Sequence, residues 1–333
     1  MKKVLCILFA LSVLCSQALA VSCGGSPLEA GEYIGIISPS SCMDREEIDS
    51  GDLILRSHDI ITKLGASVYE VYGYLAGTDQ QRADDINAMF RDDSVKAIIC
   101  TRGGYGAARI LDKLDYDMIS RHPKPIIGYS DVTALLCVLN ERCGIPTVHG
   151  PMLVSLTRDS TNTEYTRTNF LAGLNGEVIS GEIPMPEGRT LQTMIPGHAE
   201  GAVIGGNLTL IASLVGTPYE LKAEGALLLL EEVGEKPYRI DRMMNQLWQN
   251  GLLQRVNGIL LGDFINCENT DASPDSRTFG LEDVLRYYAE LCGKPVIRGI
   301  PAGHGEDNMY LPFGVHAVMN ANENGTASVI LGR

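Results

Sequence analysis

The chain has 333 residues, of which 45% are hydrophobic and 20% are charged. This balance is typical of a folded protein with one large or two medium domains and argues against intrinsic disorder. The formal net charge of −14 disfavours nucleic acid as a partner. An anionic group on any ligand must therefore be met by local basic residues or by backbone N–H groups.

The first residues have the pattern of an export signal. Two lysines precede an apolar run, and the small residues Ala18 and Ala20 suit a signal peptidase. Residues 1–22 are therefore predicted to be a signal peptide. Cleavage after Ala20 would give a periplasmic protein. Cys23, which a Gly-Gly-Ser tether follows, offers the alternative of a lipid anchor that holds the protein at a membrane.

From residue 33 onwards, short apolar runs alternate with amphipathic segments. The pattern predicts strands at 33–40, 66–71, 95–100 and 124–129, and helices at 44–65, 79–93, 105–114 and 131–144. This alternation predicts βαβ units and a parallel sheet covered on both faces, in an N-terminal α/β domain over residues 27–155. Functional groups are expected at the carboxyl ends of its strands.

The second half of the chain has a different pattern. Residues 156–195 are polar and rich in Thr, Asn, Gly and Pro, which predicts a linker. Residues 196–333 contain further apolar strands and are predicted to form a smaller, mixed α/β domain.

Six cysteines follow Cys23, and they allow two interpretations. They could pair in an oxidising compartment, or they could be buried free thiols, since Cys100 ends an apolar strand and Cys137 lies in an apolar helix. No CxxC motif or Cys/His cluster suggests a metal, and none is predicted.

Ser130 lies where a predicted strand meets a predicted helix, in the sequence G-Y-S-D. A tight turn at such a junction lifts a serine above the sheet edge, as in a nucleophile elbow. Serine is also a common N-cap, because its oxygen accepts a hydrogen bond from a free helix N–H. Both interpretations fit the local sequence.

A second strand end carries Gly103 and Gly104 before a helix. Paired glycines let the backbone approach a ligand with its N–H groups exposed. A phosphate site is one interpretation, but the sequence fits neither a P-loop nor G-x-G-x-x-G. An oxyanion hole uses the same donors for a smaller anion.

His304 stands between two glycines in a third strand-end loop, and Glu231 ends a strand with four consecutive leucines. The pair suits a general base and the carboxylate that orients it. The alternative is a solvated histidine and an acidic pair, Glu231 and Glu232, at the exit of a strand.

Five blocks occur in order over nearly the whole exported chain. They are T-R-G-G-Y-G at 101–106, G-Y-S-D at 128–131, G-G-N-L-T-L at 205–210, L-E-E-V-G-E-K-P-Y-R-I-D-R-M at 230–243, and G-H-G-E-D-N at 303–308 with L-P-F-G at 311–314. In this combination the sequence resembles the L,D-carboxypeptidase family of serine peptidases, whose relatives include the immunity peptidases that cleave microcin C.

The resemblance implies a catalytic triad at Ser130, Glu231 and His304. It also implies an oxyanion hole formed by the backbone N–H groups of Gly104 and Asp131. No metal or organic cofactor is expected. The family chemistry is acyl-enzyme hydrolysis of the L,D-peptide bond that releases terminal D-alanine from a murein tetrapeptide.

The resemblance further implies a homodimer of chains, each with an N-terminal flavodoxin-like domain and a smaller C-terminal domain, with the site between these domains. Gly103 and Asn207 are expected to contact the substrate, a small muropeptide. The substrate carboxylate needs a cation, for which Arg102, Arg239 and Lys236 are candidates. The alternative functions are a peptide-nucleotide amidase of the microcin C type and a non-catalytic muropeptide-binding lipoprotein.

Overall fold

The structure is a computed structural model, and it describes residues 31–175, 180–269 and 278–332. The predicted signal peptide and Cys23 lie outside these residues. Within them, each helix is too short or too polar to cross a lipid bilayer.

The described residues form strands and helices that alternate over most of the chain. The strands are β1 (Tyr33–Ile37), β2 (Thr62–Leu64), β3 (Val95–Cys100), β4 (Ile126–Gly128), β5 (Thr147–His149), β6 (Gly181–Glu182), β7 (Gln192–Ile195), β8 (Gly197–Asn207), β9 (Leu227–Val233), β10 (Gly258–Ile265), β11 (Val296–Arg298), β12 (Leu311–Phe313), β13 (His316–Ala321) and β14 (Ala327–Leu331). The α-helices are α1 (Arg45–Ser57), α2 (Asp79–Arg91), α3 (Tyr116–Arg121), α4 (Thr133–Cys143), α5 (Leu153–Thr157), α6 (Glu164–Leu174), α7 (Leu208–Leu214), α8 (Pro237–Gln249), α9 (Leu252–Arg255) and α10 (Leu281–Cys292). Two 3₁₀ helices span Ala107–Lys113 and Ser130–Val132.

The first sheet has the strand order β12-β5-β4-β3-β1-β2. Strands β1 to β5 are parallel, and their order is that of the flavodoxin-like fold. Their apolar residues are buried because helices cover both faces; Ile98 and Ile99 of β3 are fully buried. The predicted flavodoxin-like domain is confirmed. The late strand β12 joins this sheet antiparallel to β5.

The second sheet has the order β6-β14-β13-β8-β9-β10-β11-β7. Strands β8 to β11 are parallel, and the outer strands are antiparallel, which confirms the predicted mixed α/β character. Leucines 227–230 of β9 are fully buried, as a central strand requires.

The segment after α1 differs from the prediction. The helix predicted over 44–65 ends at Ser57, and a strand occupies 62–64 instead of 66–71. The chain leaves the helix through Asp59, whose φ is +62°. The backbone N–H groups of 66 and 67 donate to the Asp85 carboxylate at 2.8 and 2.9 Å, so these residues form a turn and do not pair in the sheet. Neither contact follows from periodicity.

The polar segment 156–195 contains α6, β6 and β7. Phe170 of α6 is fully buried, and the Thr163 hydroxyl donates to Asp307 at 2.7 Å. This segment therefore supports the loop that carries His304. Six cysteines in the described residues carry free thiols: Cys42, Cys100, Cys137, Cys143, Cys267 and Cys292.

Candidate active site

Ser130 follows β4 directly and has a left-handed backbone, with a φ of +63°. A non-glycine residue in this region costs about 1–3 kcal/mol and is found where function requires it. The Ser130 hydroxyl is hydrogen-bonded to His304 rather than to a helix N–H. A Cβ on Gly103 would lie 2.8 Å from the Ser130 Cβ, so only glycine fits beside this turn.

Ser130, His304 and Glu231 form one hydrogen-bonded line. Ser130 Oγ lies 2.9 Å from His304 Nε2, and His304 Nδ1 lies 2.7 Å from Glu231 Oε2. Because a carboxylate oxygen accepts, Nδ1 of His304 donates, and Nε2 is left to accept from the serine hydroxyl. This tautomer is the one that a general base for Ser130 needs.

Glu231 lies near the end of β9 and is fully buried. Its second oxygen, Oε1, has no hydrogen-bond partner among the described residues, so its only hydrogen bond from a side chain there is that of His304. The neighbouring loop approaches it through glycine: a Cβ on Gly303 would lie 2.6 Å from Glu231 Oε2. Gly305 is similarly restricted by the Asp263 carboxylate. The two glycines around His304 therefore permit close contact with two acidic groups.

Acidic neighbours strengthen His304 as a base. Burial alone would lower the pKa of His304, but the hydrogen bond to Glu231 and the charges of Glu231, Glu232 and Asp263 outweigh it. The pKa of His304 therefore lies above its ordinary value. The Tyr129 ring packs edge-on against the imidazole, with 5.0 Å between the ring centroids.

The glycine loop after β3 lies against the Ser130 turn. Gly104 has a φ of +111°, and a Cβ there would collide with the Ser41 hydroxyl. The buried Asp131 carboxylate accepts from Ser40 Oγ at 2.6 Å and from the Ala107 N–H at 2.8 Å. The Asp131 carboxylate thus ties the glycine loop to the turn at Ser130. The backbone N–H of Asp131 lies beside Gly103.

Asn207 joins the end of β8 to helix α4 behind the site. Its backbone N–H donates to Thr133 Oγ1 at 3.1 Å, and it pairs with Glu231 across β8 and β9. Its side chain caps α7 and donates to Glu232 at 3.1 Å. Asn207 therefore lies behind the predicted triad and not on the pocket wall.

A pocket of about 120 Å³ opens beside Ser130 and His304. Its lining residues are Arg102, Gly103, Gly104, Tyr129, Ser130, Met152, Val154, Arg158 and His304. Of the three cations suggested by the sequence, Arg102 is on this wall. Lys236 and Arg239 are not, and Arg239 pairs with Glu235 at 3.1 Å. The described residues contain no cluster of three or more His, Cys, Asp or Glu side chains suited to a metal ion.

Sequence reasoning missed Arg158 and Asp263. Arg158 lies in the segment interpreted as a linker, where no pattern distinguishes it. Asp263 carried a usable signal, because it stands one glycine after the apolar residues 259–261 of a parallel strand.

Comparisons with known proteins place the chain in a family. The chain matches the LD-carboxypeptidase N-terminal domain over residues 34–150 and the LD-carboxypeptidase C-terminal domain over residues 200–319. It is 38% identical to the probable murein peptide carboxypeptidase of Bacillus subtilis, over 89% of this chain and 91% of that protein. It is 32% identical to the murein tetrapeptide carboxypeptidase of Pseudomonas aeruginosa, over 87% and 93%.

A solved structure shares the fold. The muramoyltetrapeptide carboxypeptidase from Oxalobacter formigenes superposes with a TM-score of 0.77 at 26% identity, covering 90% of this chain and 99% of that one. Both domain matches and the full-length relatives lead to one conclusion: the chain belongs to the LD-carboxypeptidase family of serine peptidases.

Proposed function

We propose that this protein is a serine carboxypeptidase that hydrolyses the L,D-peptide bond before the terminal D-alanine of murein tetrapeptides. The observation that carries the proposal is the unbroken line from Ser130 Oγ through His304 to Glu231, with separations of 2.9 and 2.7 Å. The names of the relatives supply the substrate class.

Acylation uses the tautomer described above. Ser130 Oγ attacks the carbonyl carbon of the scissile bond while His304 Nε2 removes the hydroxyl proton. Glu231 stabilises the resulting imidazolium, and the backbone N–H groups of Gly104 and Asp131 stabilise the oxyanion. The tetrahedral intermediate then collapses: the C–N bond breaks, and the imidazolium gives its proton to the amine of D-alanine.

Deacylation repeats these steps with water. His304 removes a proton from a water molecule, whose oxygen attacks the acyl-enzyme carbonyl. The second tetrahedral intermediate expels Ser130 Oγ, which recovers its proton from His304. The products are D-alanine and a tripeptide with a new C-terminal carboxylate.

The test is substitution of the nucleophile. Ser130→Ala should reduce D-alanine release from a murein tetrapeptide by about 10⁶-fold, because covalent catalysis is lost while the backbone is kept. Release is measured by chromatography, and circular dichroism checks the fold. Undiminished turnover in this variant would reject the mechanism.

The competing functions give different results in the same assay. A peptide-nucleotide amidase would cleave an aminoacyl-nucleotide conjugate and leave the tetrapeptide intact. A binding lipoprotein would bind the tetrapeptide without product. The glycine contacts that hold Ser130 and Glu231 at the site favour the catalytic proposal over simple binding.

Location and assembly form part of the proposal. The pattern of residues 1–22 supports export, with lipidation at Cys23 as one outcome, and the family resemblance supports a homodimer. Mass spectrometry of the mature N-terminus distinguishes cleavage after Ala20 from lipidation. Analytical ultracentrifugation measures the oligomeric state.

A further inference from the structure

Two arginines on the pocket wall take no part in the chemical steps above. Arg102 and Arg158 line the same small pocket as Ser130 and His304. The other side chains on that wall are apolar or aromatic and almost fully buried: Tyr129, Met152 and Val154. A compact apolar surface beside two guanidinium groups suits a small residue that ends in an anion.

Arg158 is held in place by Glu47 of α1. Its Nε donates to Glu47 Oε1 at 2.8 Å and its Nη2 to Oε2 at 3.3 Å, while the Thr157 hydroxyl donates to Oε1 at 3.1 Å. This two-point contact fixes the plane of the guanidinium. Its remaining amino group, Nη1, has no hydrogen bond within the described parts of the chain, and it can donate to a ligand.

In the described parts of the chain, Arg102 supplies a positive charge that no acidic side chain pairs with. Its Nη1 donates to the Cys42 carbonyl at 3.5 Å, a long hydrogen bond to a neutral acceptor. Among the described residues it has no salt bridge, whereas Arg158 pairs with Glu47. On a chain with a net charge of −14, such a cation on the pocket wall is what an anionic ligand requires.

We propose that Arg158, assisted by Arg102, binds the terminal carboxylate of the substrate and thereby restricts hydrolysis to the last peptide bond. This inference rests on the proposed function. Both guanidinium groups line the pocket beside Ser130, so a carboxylate bound there brings the last peptide bond into the pocket of the nucleophile. A longer chain has no carboxylate at this point and loses these hydrogen bonds. Arg158 is therefore the specificity-determining residue, and Glu47 is its positioning residue.

The experiment compares a tetrapeptide that ends in a free D-alanine carboxylate with its C-terminal carboxamide. Wild-type protein should prefer the acid by about 10- to 100-fold in kcat/KM, as expected for a charge-assisted hydrogen bond. Arg158→Met should lose most of that preference by slowing hydrolysis of the acid and sparing the amide. Arg298→Met is the matched control, because Arg298 is similarly exposed, pairs with Glu282 at 2.9 Å and does not line the pocket.

Two further variants separate charge from geometry. Arg158→Lys keeps the positive charge but lacks the planar pair of guanidinium donors, so it should retain part of the preference for the acid. Glu47→Gln should raise KM for the acid more than it lowers kcat, since the guanidinium is less well oriented while the triad is untouched. An equal loss for acid and amide in Arg158→Met would show a structural role and overturn the assignment.

Binding provides a readout that does not depend on turnover. In the Ser130→Ala background, calorimetry should show tighter binding of the acid than of the amide, and Arg158→Met should abolish the difference. Equal binding of the two peptides overturns the carboxylate site, even if the wild type releases D-alanine. Preferential binding of the acid without release by the wild type overturns the proposed reaction and retains the site. Failure of both peptides to bind, together with no release of D-alanine by the wild type, overturns both.

Discussion

The turn around Ser130 and the strand end around Glu231 supply one site by different physical means. Ser130 depends on backbone geometry: its φ is +63°, and Gly103 and Gly104 lie in contacts that admit no Cβ. Glu231 depends on electrostatics: it is fully buried, and His304 is the only side chain that donates to it among the described residues. The nucleophile is thus placed by strain and the base by a buried charge.

This difference determines how each half should respond to substitution. Loss of the buried carboxylate changes the proton affinity and tautomer of His304. An added methyl group at the glycine loop moves backbone donors and leaves proton affinities alone. The pH dependence of kcat should therefore distinguish the Ser130 turn from the Glu231 strand end. A change in backbone geometry lowers kcat at every pH and leaves the midpoint of the profile where it is.

Among the substitutions that compare the Ser130 turn with the Glu231 strand end, the largest effect is expected for Glu231→Gln. The amide keeps the shape of the side chain but removes the charge that stabilises the imidazolium and selects its tautomer, so kcat should fall by about 10⁴-fold. Because the charge of Glu231 raises the pKa of His304, wild-type activity should be lost on acidification through a pKa above about 6.5. In the variant this acid limb should move to lower pH.

Glu232→Gln is the matched control for Glu231→Gln. Glu232 is buried beside Glu231, but it accepts from Asn207 and Thr209 and not from His304. Its substitution should lower the free energy of unfolding and keep kcat within about tenfold. Steady-state kinetics from pH 5 to 9 and urea unfolding measure both quantities. Equal losses of kcat in the two variants would contradict a specific role for Glu231.

Gly104→Ala tests the part of the site that depends on backbone geometry. The φ of +111° and the contact with Ser41 force the loop to shift, and loss of one oxyanion donor costs about 10²- to 10³-fold in kcat. The pH profile should keep its wild-type midpoint. Gly144→Ala is the control: its φ is +62° at the end of α4, but its Cβ would meet open space. This variant should lose about 1 kcal/mol of stability, the cost of a Cβ in the left-handed region, and no activity. A shifted pH profile in Gly104→Ala would contradict the view that the glycine loop acts through backbone geometry alone.

The smallest effect concerns a second buried ionisable group, His149 of β5. Burial lowers its pKa to about 4, and neither ring nitrogen has a partner among the described residues. The unfolded chain binds a proton near pH 6.5, so folded wild-type protein should lose stability as the pH falls from about 6.5 towards 4. His149→Phe keeps an aromatic ring against Phe313. Between pH 7 and pH 5 the free energy of unfolding of this variant should fall by about 2 kcal/mol less than that of the wild type.

Urea unfolding at these two pH values measures the effect of His149→Phe. His316→Phe is the control, because it makes the same exchange of side chains at an exposed position. If His149→Phe and the wild type lose equal stability, burial of a neutral imidazole does not explain acid sensitivity.

Local patterns predicted much of the first sheet. The apolar runs at 33–40, 95–100 and 124–129 contain β1, β3 and β4, because buried parallel strands need continuous apolar residues. The same reasoning extended α1 too far, since the apolar spacing continues past Ser57 while the chain turns at Asp59. A turn set by one left-handed residue leaves no trace in periodicity.

The site could be predicted only in part. Ser130 was identifiable as a hydroxyl at a strand-to-helix junction, but its contact with His304 joins residues 174 positions apart, which no local pattern encodes. The resemblance of five ordered blocks supplied that pairing. Arg158 had neither signal, because its place on the pocket wall depends on the packing of α5 against α1 and on the partner Glu47.

The return of β12 to the first sheet has a practical consequence. His304 lies on a stretch that leaves the second sheet after β11 and enters the first at β12, next to β5. If the chain were divided into one fragment with β1 to β5 and a second fragment with the rest, hydrolysis would return only when β12 of the second fragment pairs with β5 of the first. Two such fragments, each fused to a candidate binding partner, would convert the association of those partners into release of an amino acid.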